Sequence, residues 1–508
     1  MTELEKQQAI IIQEQAEQIR LLKEQVEYMM KKLFGPSRQK TPVGEGQLSL
    51  FADYTDSLFN REDEEEEEEI VVRRKKRQGH KQKMLEGLPA EEIHIELTEE
   101  ERKCDNCHEE MDPMGKKIVR EEVHYVPARL YKKVYIIYSY ECKNNCHDPF
   151  DEVKPIKTAS APNPIIQRSF AGSTLLAWLM YMKFVLALPL YRQENEWKRY
   201  GLAISRRTLA NWIIISSEDW LSPIYDRLHQ ELITKDVLHG DETPYQILIR
   251  SDGKSPESKA HMWNFRTTHQ DPKPIVWYHA DLTRSQAVVE EILKNYVGYL
   301  QADGYIAYKG NNDFILVGCW QHVRSKFFDV PGNGIAKDGV AYCDKMFEIE
   351  RDLKDLSPED RYKARLRRLK PVMEEFYEWL GSFHANKGKL RTAVMYALNQ
   401  KEFLLNVLLD GRIQISNNIC EQKIKPVVIG RKNYLFSASE AGARANAIVY
   451  TTVESAKENG LDPFKYLAYL FENLPNLDFR RYPELLEDFL PWSDQVQLHC
   501  KPDFDTYQ

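Results

Sequence analysis

The chain has no excess of positive charge: 78 Asp and Glu residues against 70 Lys and Arg give a formal net charge of -8 over 508 residues. A protein whose whole surface is a basic nucleic-acid binder is thereby excluded. The acidity is local, because the run Glu62-Asp63-Glu64-Glu65-Glu66-Glu67-Glu68-Glu69 holds the entire excess. Nucleic-acid contacts would have to come from patches elsewhere. An apolar N-terminal run is also lacking: MTELEKQQAIIIQEQ opens on charges and its apolar patch is too short for a secretory signal. The expectation is a protein of the reducing cytoplasm. One stretch, Phe170 to Leu190, is long enough to raise a membrane question, but it carries Lys183 near its middle and Pro189 near its end. A central Lys costs about 2.5–3.5 kcal/mol on insertion scales, so a buried helix and no membrane partner is expected. Cysteine is scarce, 8 residues in all.

What is present suits a multidomain protein. Hydrophobic residues make up 42% and aromatics 11%, and the length exceeds what one core usually supports, so roughly three or four domains are expected. In residues 1–34 the apolar positions Ile12, Ile19, Val26 and Leu33, with Leu22 and Met29 between them, form an a/d seam. It reads either as an amphipathic helix packed on its own chain or as a short coiled coil that makes a homo-oligomer. Gly35-Pro36 ends the helix. Residues 35–92 read as a charged linker, in which Arg73, Arg74, Lys75, Lys76 and Arg77 are either a solvated block or an arm for the DNA backbone.

Residues 93–155 contain two close cysteine doublets, Cys104 with Cys107 and Cys142 with Cys146, on either side of the β-rich text VHYVPARLYKKVYIIYSYEC. Two short loops can aim two thiolates each at one ion, so one structural Zn²⁺ is expected, with His108 or His147 as alternative ligands. Residues 156–232 read as helical. LYRQENEWKRYGLAISRRTLANWII gives a helix, a break at Gly201, and a second helix opened by Ser205 as N-cap. That outline fits a helix-turn-helix presenting Arg206 and Arg207 to DNA, and equally a plain helical hairpin.

From about residue 233 the pattern changes to strands. DVLHGDETPYQILIR, HMWNFRTT and PIVWYHAD read as an antiparallel meander, SQAVVEEILKNY as a helix, GYLQADGYIAY as a strand ending in Asp303, and DFILVGCWQHV as a further strand. This is the order of an RNase-H-like domain, with Asp241 on the first strand and Asp303 at the end of the fourth. A third acid, Glu421, is offered by a later helix, beside an Asn417-Asn418 pair able to cap it. Three carboxylates from two strands and a helix suit two Mg²⁺ (or Mn²⁺) ions around a phosphodiester, because these ions prefer hard oxygen ligands. The expected fold class is multidomain α/β: this core over residues 233–324 and 411–460, a helical insertion over 325–410, and a C-terminal tail over 461–508. In the insertion Arg365, Arg367 and Arg368, among other basic residues, are expected to clamp DNA, as are Lys423, Lys425, Arg431 and Lys432 near Glu421.

The blocks HGDETPYQIL, LQADGYIAYKG, GCWQHVRSKFFD and SNNICEQKIKPVVIGRKNYLFSASEAGARANAIVYTTVESAKENGLDP resemble those of the insertion-sequence-66 family of bacterial transposases. KLFGPSRQK, the cysteine doublets and LPLYRQENEW extend the likeness over nearly the whole chain. The resemblance implies a DDE-type transposase, with Asp241, Asp303 and Glu421 as its acids, acting on element ends and target DNA near the nucleoid, with small accessory proteins from the same element. Members commonly show Asp-Asn-Asn before the Glu, where this chain has Ser416-Asn417-Asn418, and their second cysteine pair is usually tighter. Cys319 and His322 resemble a Cys-x-x-His signature of several such enzymes and are read either as a buried structural pair bracing the sheet or as having a direct chemical role, and not as a metal site. Glu242 and Asp313, which match no motif, are read as bystanders. Two rival functions remain: a non-catalytic zinc-containing DNA-binding regulator, and a nuclease of the same fold without strand transfer.

Overall fold

The computed structural model describes residues 161–310, 313–332 and 334–502, the segments 131–141 and 156–158, and Gln15, Gln18, Ile19, Leu22 and Lys23. Two compact units emerge, residues 1–63 with 163–501, and residues 64–162 with 502–508. In the second, β1 (Ser139–Glu141) pairs antiparallel with β2 (Ile156–Thr158). The four cysteines of the expected zinc module and the Arg73 to Arg77 arm lie outside the described residues, as does most of the N-terminal seam. Ile19 and Leu22 of that seam are helical and exposed.

The first unit opens with helices α1 (Ser173–Phe184), α2 (Leu190–Arg199), α3 (Arg206–Ser216) and α4 (Ser222–Leu232). α1 is the apolar stretch that raised the membrane question. It is buried, Lys183 included, and among the described residues no helix is long and apolar enough to cross a membrane. Ser205 caps α3 as expected, its hydroxyl accepting the Thr208 N–H at 3.1 Å. These helices do not build a core of their own, because Leu176, Leu209, Ile224 and Leu228 belong to the same apolar cluster as the sheet that follows.

That sheet holds β3 (Val237–Tyr245), β5 (Ala260–Thr267), β6 (Val276–Asp281), β7 (Tyr299–Gln301) and β8 (Ile315–Val317) in the order β6-β5-β3-β7-β8. β5 runs antiparallel to both β3 and β6, whereas β7 is parallel to β3 and β8 to β7. β5 is buried at every position, as a strand covered on both faces must be. A short β4 (Ile247–Ile249) leaves the sheet and pairs with β9 (Ser437–Ser439), and α5 (Gln286–Ile292) connects β6 to β7.

DFILVGCWQHV is not one strand. β8 ends at Val317 and α6 (Trp320–Phe328) begins three residues later. The backbone leaves the ladder there, the Gly318 N–H donating to the Phe403 carbonyl at 2.9 Å and the Trp320 N–H to the Ile415 carbonyl at 3.1 Å, and at Gly318 a side chain would come within 3.1 to 3.2 Å of Leu404. From α6 the chain enters α7 (Gly334–Asp352), α8 (Pro358–Gly381), α9 (Gly388–Asn399) and α10 (Lys401–Leu405), helices over the segment read above as an insertion. Its core is aromatic: Trp320 and Phe327 meet Phe376 edge-on at 5.5 and 6.1 Å. The chain returns as α11 (Asn418–Tyr434) and α12 (Glu440–Glu458).

Both sheet edges are covered. On β6 the Val276 and Tyr278 N–H groups donate to Ser455 and Thr451 of α12 at 3.0 and 2.9 Å, so hydroxyls stand in for a sixth strand. On β8 the Leu316 carbonyl accepts from Asn406 at 2.8 Å. Of the stretch expected as a tail, residues 461–501 instead continue the core: α13 (Pro463–Asn473) buries Tyr466, Leu467, Leu470 and Phe471, and a short α14 (Asp494–His499) follows. PFKYLAYLFEN carries an apolar stripe at helical spacing, which demands a partner surface.

Candidate active site

Asp241 stands in the middle of β3, the central strand, opposite Asn264 of β5. The parallel register pairs Val237 with Tyr299, Leu238 with Leu300 and His239 with Gln301. Continued two residues further, that register sets Asp303, just beyond β7, alongside Asp241. Glu421 lies in the first turn of α11. Asn417 fixes that turn, although not by the cap expected of it, because its side chain makes no cap hydrogen bond. Its amide instead donates to the Gly240 carbonyl at 2.8 Å, its oxygen meets His239 Nδ1 at 2.9 Å, and its backbone N–H donates to Cys319 Sγ at 3.1 Å. Strand β3, helix α11 and the start of α6 are thus joined at one residue, beside the acids.

The Asp241 carboxyl senses the other two acids. Burial first, then the charges of Glu242, Glu421 and Asp303, push the Asp241 carboxyl up to about 8, although its oxygen accepts the Glu242 N–H at 2.9 Å. Glu421 Oε1 is buried and has no hydrogen-bond partner. The three acids are hard oxygen donors, the kind a divalent cation of the Mg²⁺ or Mn²⁺ class takes.

Glu242, expected to be a bystander, is the neighbouring charge that raises the Asp241 carboxyl most. Strand alternation sends it to the opposite face of β3 from Asp241, where its side chain is 2% exposed and paired with Arg284. Tyr308 Oη donates to Glu242 Oε2 at 2.5 Å. Burial raises the Glu242 carboxyl in spite of both partners, and Asp303 adds to the effect. Arg284 also lies 3.4 Å from the Tyr305 ring centroid. The only sequence signal for Glu242 is its place next to Asp241; Arg284 and Tyr308 have none, since both come from connections between elements.

Cys319 and His322 also come to the site. Cys319 precedes α6 and His322 lies in its first turn, 3.9 Å from Glu421 Oε1 through Nδ1. Burial opposes a charge on His322, yet Cys319, Glu421 and Asp303 together raise it to about 9.

The basic residues divide. Arg206 and Arg207 are exposed at the start of α3, and Arg367 and Arg368 are exposed on α8, Arg368 beside Asp352 at 2.5 Å. Lys425 and Lys432 are exposed on α11. Arg431 is half-buried and donates to the Pro244 carbonyl. Lys423 is held by Glu454 and Glu458 at 2.9 and 2.7 Å. Arg365 is the correction: it is fully buried, donates to both oxygens of Glu350 at 2.7 and 2.8 Å, and spends its remaining N–H groups on the carbonyls of Val407, Asp410 and Ile413. No guanidinium so enclosed can meet a phosphate. Its helical register, with Arg361 one turn earlier also on Glu350, turns it inward while Arg367 and Arg368 face solvent.

The fold defines an α/β protein with an acid of raised pKa on the central strand of a mixed sheet. Comparison with known proteins gives the family. Residues 168–445 match the model described as Transposase IS66 family, residues 451–492 the IS66 C-terminal element, residues 101–146 the zinc-finger binding domain of transposase IS66, and residues 21–93 Transposase C of IS166 homeodomain. Among relatives from Sinorhizobium fredii, uncharacterized protein y4jD is 31% identical over 80% of this chain and 81% of its own length. Uncharacterized protein y4qI is 31% identical over 66% of this chain and 65% of its own length, and uncharacterized protein y4hP is 28% identical over 74% and 70%. The chain belongs to the IS66 family of transposases.

Proposed function

We propose that the chain cleaves and joins DNA strands at the ends of its mobile element, using Asp241, Asp303 and Glu421 to hold a pair of Mg²⁺ or Mn²⁺ ions. The observation that carries this reading is the Asp241 carboxyl on the central strand, pushed up to about 8 by burial and by the charges of Glu242, Glu421 and Asp303. The sheet order, with β5 antiparallel and β7 and β8 parallel to the central strand, supports an RNase-H-like core. When bound, the ions would activate an attacking water or 3′-hydroxyl and stabilise the leaving oxygen.

The protein's own residues do the rest. Asn417 sets the distance between α11 and β3, so Glu421 faces the strand acids with little freedom. Arg284 and Tyr308 hold Glu242 away from the ligand set and offset part of its charge. Exposed Arg206, Arg207, Arg367, Arg368, Lys425 and Lys432 supply phosphate contacts, which fix register without reading bases. The four cysteines, outside the described residues, would hold one Zn²⁺, and the N-terminal seam would pair subunits. The test is a labelled DNA carrying the element's terminus, incubated with the protein in Mg²⁺ or in chelator. Metal-dependent cleavage and joining are expected; cleavage without joining would favour a nuclease, and no cleavage in Mg²⁺ would refute the reading.

A further inference from the structure

Cys319, His322 and Glu421 offer one ligand atom each, all within 4.8 Å of one another. Their chemistry is unlike that of the acid cluster, since a thiolate and an imidazole are poor ligands for Mg²⁺ and good ones for Zn²⁺. We propose that these three residues form a second metal site, one for a borderline-soft divalent ion such as Zn²⁺, and that its occupancy withdraws Glu421 from Asp241 and Asp303.

The local structure favours such a site. Cys319 occupies the N-cap position of α6 and His322 follows three residues later, the spacing that brings two side chains together over a helix start. Glu421 reaches the same point from the first turn of α11, and the Asn417 N–H to Cys319 Sγ bond at 3.1 Å locks the two helix starts together. His322 Nδ1 and Glu421 Oε1 are both buried atoms with no hydrogen-bond partner, and they face each other at 3.9 Å, too far for a bond between them. A pair that merely braced the sheet would not leave both of these atoms orphaned. In a tetrahedral zinc site with its usual bond lengths, donors sit about 3.4–3.6 Å apart, so closure by about one ångström completes three ligands and leaves the fourth position open.

Only the consequence, competition for Glu421, rests on the proposed function; the binding does not. The test uses the full chain as wild type, Cys319→Ser and Glu421→Gln, each equilibrated with Zn²⁺, freed of excess and analysed for zinc per chain. Co²⁺ serves as a spectroscopic probe of thiolate ligation. Serine keeps an acceptor for the Asn417 N–H, so Cys319→Ser should fold; if circular dichroism shows otherwise, His322→Gln replaces it with the same expectation. Wild type should retain one more zinc than Cys319→Ser and show a stronger thiolate-to-cobalt absorption, and Glu421→Gln should release that zinc at a lower chelator concentration. Equal zinc content and equal cobalt spectra in wild type and Cys319→Ser would overturn the site. A Glu421→Gln protein that holds zinc as the wild type does would overturn the sharing. A chain that cleaves DNA but lacks Cys319-dependent zinc refutes this inference alone, whereas one that binds this zinc but, once stripped of it and supplied with Mg²⁺, never cleaves DNA refutes the proposed function alone.

Discussion

Lys183 shows how a single residue can be read correctly and still hold a surprise. Its charge argues against a membrane span, and it is buried, its Nζ donating to Asn446 Oδ1 at 2.6 Å and lying over the Phe184 and Tyr434 rings. Burial lowers its pKa from the ordinary 10.5 to about 7. The folded state then binds fewer protons than the unfolded one between those values, so this group's contribution to stability rises with pH from 7 to 10.5 and is least favourable below 7. Replacing Lys183 by Met should therefore improve stability relative to wild type most at pH 6–7, and the difference should shrink by pH 10. Chemical denaturation at several pH values checks this, and a pH-independent difference would count against it. Glu242 makes the opposite point. Nothing in HGDET separates a ligand from its neighbour, because the distinction lies in strand alternation and in partners supplied by distant connections. Glu242→Ala should cost about 1–3 kcal/mol of stability by removing the acceptor shared by Tyr308 and Arg284, and should lower DNA cleavage, measured on the folded fraction. Unchanged stability and cleavage would restore it to bystander.

At the scale of elements, period and order are legible in the sequence while side-chain direction is not. The meander, the crossover helix and Asp303 at a strand end follow from alternation and spacing. The basic face of α8 departs from expectation at Arg365, since the number of cations in a helix does not say which of them it turns inward. Arg365 clamps α8 to Glu350 and to the carbonyls of residues 407, 410 and 413, the segment that leads back to Glu421. Arg365→Gln should destabilise the protein by about 3–5 kcal/mol, the range for breaking a buried ion pair, without changing the salt dependence of DNA binding by the folded fraction. Arg367→Gln with Arg368→Gln should do the reverse, leaving stability near wild type and reducing the salt slope of binding by about one for each phosphate no longer neutralised. Thermal melts paired with a salt titration distinguish the two; a double variant with wild-type slope would remove α8 from the DNA interface.

For the whole molecule, the sequence conveys the separate parts better than their boundaries. The helices of residues 173–232 share the core of the sheet, and residues 463–500 pack into it as well, because apolar stripes that look self-contained in text are completed by surfaces far along the chain. The N-terminal seam shows Ile19 and Leu22 exposed on a helix, and burying an a/d seam needs a partner. Deleting residues 1–34 should shift the protein to a smaller species in sedimentation, and an unchanged mass would rule out pairing through this helix. The central claim depends on acids brought from positions 241, 303 and 421 to one place, and it is tested most directly by strand joining with a labelled element end in Mg²⁺. Asp241→Asn, Asp303→Asn and Glu421→Gln should each fold, bind the DNA and lose joining by on the order of a thousandfold or more, the several kcal/mol that a metal pair contributes. Asp313→Asn should join as the wild type does. Near-normal joining by any one of the three site variants would contradict the account.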